Sequence, residues 1–79
     1  MNAKIIPLSE LTQNKQAKII HIQGGHGLQR KLAVMGIKEQ QIIKIISRQP
    51  LRGPITIQIR GTHLTMGRGM AQKIQVEVM

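Results

Sequence analysis

The most regular stretch of the chain runs from Ile55 to Arg60, where Ile55, Ile57 and Ile59 alternate with Thr56, Gln58 and Arg60. A period of two puts the isoleucines on one face of a β-strand and the polar residues on the other. The pattern returns near the end of the chain, with Ile74, Val76 and Val78 inward and Gln75 and Glu77 outward. Gln16–Ile22 reads as a third strand, entered through the polar turn Thr12, Gln13 and Asn14 and broken by Gly24-Gly25-His26-Gly27. Between Gln41 and Arg48 the isoleucines at 42, 43, 45 and 46 leave neither face polar, which predicts a strand that bends through a core. Pro50-Leu51-Arg52-Gly53-Pro54 ends it, Gly61-Thr62 is a tight connection, and His63 to Met66 is a short return strand.

One segment changes period. Leu28, Leu32 and Met35 fall at i, i+4 and i+7 and share one helical face, which predicts a helix of about two turns over Leu28 to Met35. Gly36 stands where a left-handed residue would stop it, and Gly67 to Ala71 predicts a single further helical turn. About five short strands, tight turns and one short inserted α-helix make the chain mainly β, a small barrel whose closure would remove exposed sheet edges. The apolar pair Ile5 and Ile6 either packs on that barrel or belongs to a loose terminus.

Composition narrows this picture. Seventy-nine residues are enough for one domain, 1–79, near the lower size at which an apolar core suffices. The chain has no cysteine, so disulfides, thiolate metal sites and a cysteine nucleophile are excluded. No stretch approaches the roughly 20 apolar residues of a membrane span, and Met1 to Pro7 lacks a signal-peptide pattern, so a soluble protein is expected. The net charge is +9, which calls for an acidic partner: nucleic acid, an anionic membrane surface or an acidic protein face. With no Phe, Trp or Tyr the chain lacks the aromatic rings on which single-stranded bases usually stack.

Catalytic candidates are scarce. The carboxylates Glu10, Glu39 and Glu77 lie in separate segments, against a paired acid/base site. His21, His26 and His63 do not have the i, i+4 spacing of a helical metal site; they read as surface or turn histidines, although a fold that paired the strands of His21 and His63 would bring two of them together. Met35, Met66 and Met70 read as gap-fillers in a core without aromatic rings, not as soft-metal ligands. The glycines at 24, 25 and 27 before a helix have the outline of a phosphate loop. However, no Lys-Ser or Lys-Thr follows them, and a turn that needs positive φ accounts for them. Arg48, Arg52 and Arg60 bracket one hairpin and could form a basic stripe, or could equally be solvated charges that keep an apolar barrel soluble.

In order and spacing the chain resembles the FeoA family, small SH3-like proteins associated with ferrous iron transport. The resemblance is carried by Leu8-Ser9-Glu10-Leu11, Ala17-Lys18-Ile19, Ile22-Gln23-Gly24-Gly25, Arg30 to Ile37, Pro50 to Ile55, Arg60-Gly61, Leu64, Ala71 and Ile74 to Glu77. Asn14 and Gln40 depart from it, standing where such sequences commonly carry turn glycines. The resemblance implies a small SH3-like barrel, structural turns at Gly24, Gly25, Gly36, Gly53, Pro54 and Gly61, no catalytic residue, no cofactor and no metal site of its own.

It further implies a cytoplasmic accessory protein of iron uptake, either free or peripheral at the membrane's inner face, that binds and modulates the membrane GTPase and iron permease FeoB. Arg30, Lys31, Arg52 and Arg68 are the expected partner-binding residues. The alternative is a basic mini-barrel that binds nucleic acid, since SH3-like barrels also occur in ribosomal and transcription proteins.

Overall fold

In the computed structural model, which describes residues 4–48 and 53–79, each alternating run is a strand. The order is β1 (Ile5–Pro7), a 3-10 turn (Leu8–Glu10), β2 (Gln16–Ile22), α1 (His26–Val34), β3 (Ile42–Arg48), β4 (Ile55–Ile59), β5 (Thr62–Met66), the one-turn helix α2 (Arg68–Ala71) and β6 (Ile74–Val78). All neighbours are antiparallel in one six-stranded sheet, ordered β1-β6-β2-β3-β4-β5.

The fold is mainly β, as expected, with six strands in place of about five. The additional strand is β1: Ile5, Ile6 and Pro7 pair with Glu77, Val76 and Gln75 and form no loose terminus. Pro7 is accommodated because β1 lies at the sheet's edge, where a missing N–H costs no ladder bond.

One face of the sheet makes the core. Ile19, Ile43, Ile45, Ile55, Ile57, Ile74 and Val76 are all buried, joined by Leu8 and Leu11 around the 3-10 turn and by Leu32 and Ile37 from α1 and its exit. Met66 is within this cluster, and Met35 and Met70 pack against it, the gap-filling role expected of them.

Two of the doubled isoleucines, Ile19-Ile20 and Ile45-Ile46, fall where the sheet bends. Ile45 faces Ile57 and Ser47 faces Thr56, so Ile46 is an extra residue on β3. Likewise Ile19 faces Val76 and His21 faces Gln75, which makes Ile20 the extra residue on β2. Such bulges sharpen local twist and bend the strand, and the extra residue shifts the inward–outward alternation by one position along the sequence beyond it. One result is that Arg48, opposite Ile55, points to the core side at the end of β3.

Helix α1 begins before the expected Leu28, because Gly25, extended at φ −79° and ψ 179°, is its N-cap. It ends as Gly36 predicts. At φ +90° this glycine donates to the Ala33 carbonyl (3.0 Å), and Ile37 donates to that of Leu32 (2.8 Å). These two bonds with the buried Leu32–Ile37 contact form a Schellman stop. The tight connection of β4 to β5 is Arg60-Gly61, one residue earlier than the expected Gly61-Thr62, since Thr62 already pairs with Ile59. Both turn residues have positive φ, +53° and +78°, the geometry that suits the twist of a tight hairpin.

Asn14 and Gln40, the departures from the glycine pattern, are also left-handed, at φ +68° and +75°. Asparagine tolerates this conformation; a glutamine side chain costs about 1–2 kcal/mol there. Replacing Gln40, an exposed residue, by Gly should therefore stabilise the domain by about 0.5–1 kcal/mol after glycine's greater unfolded-state freedom is counted. Urea denaturation followed by far-UV circular dichroism checks this, and a loss of stability would show that the Gln40 side chain contributes to the turn.

Candidate functional site

Helical phase separates the charges of α1 from its apolar face. Leu32 is buried and Leu28 packs against the core, which turns Arg30 and Lys31 to solvent. Val34 shares that outer surface at 83% exposure, four residues beyond Arg30 and so beside it. Lys31 also lies in the last turn, where a cation complements the helix dipole. The outward side of α1 thus offers two cations next to an uncovered apolar side chain.

Arg68 stands in a different setting. It opens into a cleft of about 680 Å³ lined by Pro7, Ser9, Glu10, Gly69 and Gln72, where α2 packs on the 3-10 turn. Its Nε is buried and has no hydrogen-bond partner. A guanidinium held this way is suited to a carboxylate or phosphate oxygen entering the cleft. Glu10, an exposed carboxylate on the cleft wall, adds the opposite charge to the same opening.

The wall is fixed from behind by Arg48, whose Nη2 donates to the Ser9 carbonyl at 2.8 Å. Arg48 is thus partly buried and structural. It lies at the Ile55 end of β4 while Arg60 lies at the Ile59 end, so the two form no continuous stripe. Arg52 falls outside the described residues. Of the four expected partner-binding cations, the fold places Arg30 and Lys31 side by side on α1 and Arg68 apart from them in its cleft. Gly53 and Pro54 lead into β4; Gly24, Gly36 and Gly61 take positive φ and Gly25 does not.

The histidines do not converge. His21 is on β2 and His63 on β5, with β3 and β4 between them. His21 Nδ1 lies 3.7 Å from Glu39 Oε2 in an exposed pair. Among the described residues no three His, Asp or Glu side chains are grouped as metal ligands. No helix among them is long and apolar enough to cross a membrane.

Neither Arg48's inward turn nor the cleft was anticipated from the sequence. Both depend on contacts between opposite ends of the chain; the one local signal is the doubled isoleucine before Ser47-Arg48, which marks the bulge that reorients the arginine.

Comparison with known proteins agrees with this geometry. The FeoA domain family matches residues 6–78. A chain from Methanocaldococcus jannaschii, named as a candidate Fe(2+) transport protein A, is 34% identical over 71 residues, 90% of this chain and 84% of that one. A Porphyromonas gingivalis protein, named as a fusion of Fe(2+) transport protein A with the Fe(2+) transporter FeoB, is 31% identical over 72 residues. That match takes in 91% of this chain and spans 8% of the fusion. The crystal structure of an iron uptake regulatory protein, FeoA, superposes with a TM-score of 0.89 at 30% identity, covering 96% of this chain and all of that one. With its strand order, inserted helix and turn positions accounted for over nearly the whole length, the chain belongs to the FeoA family, the ferrous iron transport accessory proteins.

Proposed function

We propose that this chain is a non-catalytic docking module that binds a FeoB-type ferrous iron transporter at its cytosolic side and modulates it. The observation that carries this reading is the Porphyromonas gingivalis fusion, in which a segment similar to this chain is part of one polypeptide with FeoB. Covalent linkage holds two modules at high effective concentration, an arrangement that favours modules that act on each other. The surface supports the same reading. A net charge of +9 steers the chain towards an acidic face or anionic headgroups, and the exposed Arg30 and Lys31 with Arg68 in its cleft are the cations assigned to that contact.

Binding of this kind combines steering by net charge with a few closer contacts, and the two respond differently to salt. The test is a titration of the labelled chain against detergent-solubilised transporter, and in parallel against duplex DNA and structured RNA, each at two salt concentrations. The expected result is saturable transporter binding that persists at physiological salt. Reversing the charge at Arg30, Lys31, Arg52 and Arg68 should weaken it by about tenfold to a hundredfold and flatten its salt dependence. Unchanged affinity in that variant would sink the residue assignment. Tight, salt-resistant binding to a nucleic acid with none to the transporter would overturn the reading itself.

A further inference from the structure

The outer face of the sheet contains a row with an internal symmetry. Ile5 on β1 faces Glu77 on β6, Glu77 faces Lys18 on β2, and Lys18 faces Ile42 on β3. Residues paired across a ladder point to the same side, and the row adjacent in register, Ile6, Val76 and Ile19, points to the core. The first four side chains therefore lie in line on the outside as isoleucine, acid, base, isoleucine.

The two isoleucines are 54% and 50% exposed, and Met79, which follows Glu77 on the same face, is 62% exposed. With Val34 they are the exposed large hydrophobic residues among those described. Three of the four thus gather on one patch, around a shallow depression of about 400 Å³ lined by Lys18, Ile42, Glu77, Val78 and Met79. Glu77 is also one of only 3 carboxylates in a chain with 12 cationic side chains. An acid kept among uncovered apolar groups is unusual on so basic a surface.

We propose that this face is the contact between two copies of the chain. A two-fold axis in the plane of the contact, parallel to the strands and passing between β6 and β2, sets Ile5 against Ile42 of the second copy and Glu77 against its Lys18. The same operation returns both contacts with the roles exchanged, as an isologous interface requires. The rows on either side fit too: it sets Met79 against the second copy's Gln16 and Gln75 against its His21. None of these facing pairs brings like charges together. An unrelated partner would need an acid, a base and two apolar groups in matching order, whereas a second copy has them by symmetry.

Sedimentation equilibrium of the full chain, from micromolar to millimolar concentration, tests this. Physiological ionic strength is the suitable condition, because long-range repulsion between two cationic chains is then screened within about 8 Å. A reversible monomer–dimer equilibrium is expected. Lys18→Glu sets acid against acid, Glu77→Lys sets base against base, and each should weaken the dimer by roughly tenfold or more. Mixing these two variants in equal amounts should restore association, because each then supplies the charges that the other lacks. Ile42→Lys, on an exposed position, should also abolish it, and far-UV circular dichroism verifies that each variant is folded. A wild-type chain that stays monomeric throughout, variants that associate as the wild type does, or a mixture that stays monomeric would each overturn the proposal.

Discussion

Replacing Ile57 by Ala is expected to remove about 4 kcal/mol of stability and leave the domain close to its unfolding threshold. Ile57 is fully buried at the centre of β4, with Ile45 on one side and Leu64 on the other. Deleting three buried carbons costs the transfer energy of those atoms and adds a cavity term, together about 2–5 kcal/mol in well-packed cores. The neighbourhood is poorly able to collapse into the space. Its walls are mostly isoleucine, stiff at χ1, and no aromatic ring is available to tilt inward; Met66 is the one flexible buried side chain among the core residues described. A domain of 79 residues has roughly 4–12 kcal/mol in all at usual stabilities per residue. By contrast Ile42→Ala, at a site 50% exposed, should cost less than about 1 kcal/mol. Urea denaturation followed by far-UV circular dichroism separates the two, and an Ile57 variant no weaker than the Ile42 variant would contradict this account of the core.

These isoleucines were legible because their signal is local. Alternation over Ile55–Ile59 and Ile74–Val78 states which side chains face the core whatever the strands pair with. The first strand was not legible, since Ile5-Ile6-Pro7 is short and contains proline, and it becomes a strand only because Gln75 to Glu77 arrive from the far end of the chain. The bulges were half legible. Ile19-Ile20 and Ile45-Ile46 each fall at a bulge, whereas Ile5-Ile6 and Ile42-Ile43 pair in regular register, so the doubling alone does not locate the extra residue and the partner's register does. At Arg60 nothing in the residue type announces a positive φ; the hairpin register imposes it. The site divides in the same way. That Arg30 and Lys31 are exposed follows from the phase of α1, whereas the cleft at Arg68 requires α2 to sit on the Leu8–Glu10 turn, a contact that no local pattern encodes.

The cluster Gly24-Gly25-His26-Gly27, which reads in sequence as a turn that needs positive φ, should respond to three alanine substitutions in three different ways. Gly24 is at φ +123°, a conformation that side chains rarely adopt, and a Cβ there would lie 2.8 Å from Leu28 Cδ2. The backbone strain dominates, because the close atom is the free end of the partly buried Leu28 side chain and can rotate away, so Gly24→Ala should cost about 1–2 kcal/mol. Gly25 is extended, with nothing within 4 Å of an added Cβ, and because glycine is a better N-cap than alanine it should lose about 0.5–1 kcal/mol on becoming Ala. Gly27 lies within α1 with equally open space around it, so alanine should stabilise the helix there by about 0.5–1 kcal/mol. The consequences reach the proposed docking surface, because Gly24 sets the angle at which the chain leaves β2 for the helix that bears Arg30 and Lys31. Gly24→Ala should therefore also speed amide hydrogen exchange in α1 and weaken transporter binding, while Gly27→Ala should slow that exchange and leave binding intact. Denaturation curves and exchange rates for the three variants check the order. Equal effects at all three positions would mean that the segment behaves as a loop and that α1 begins after it.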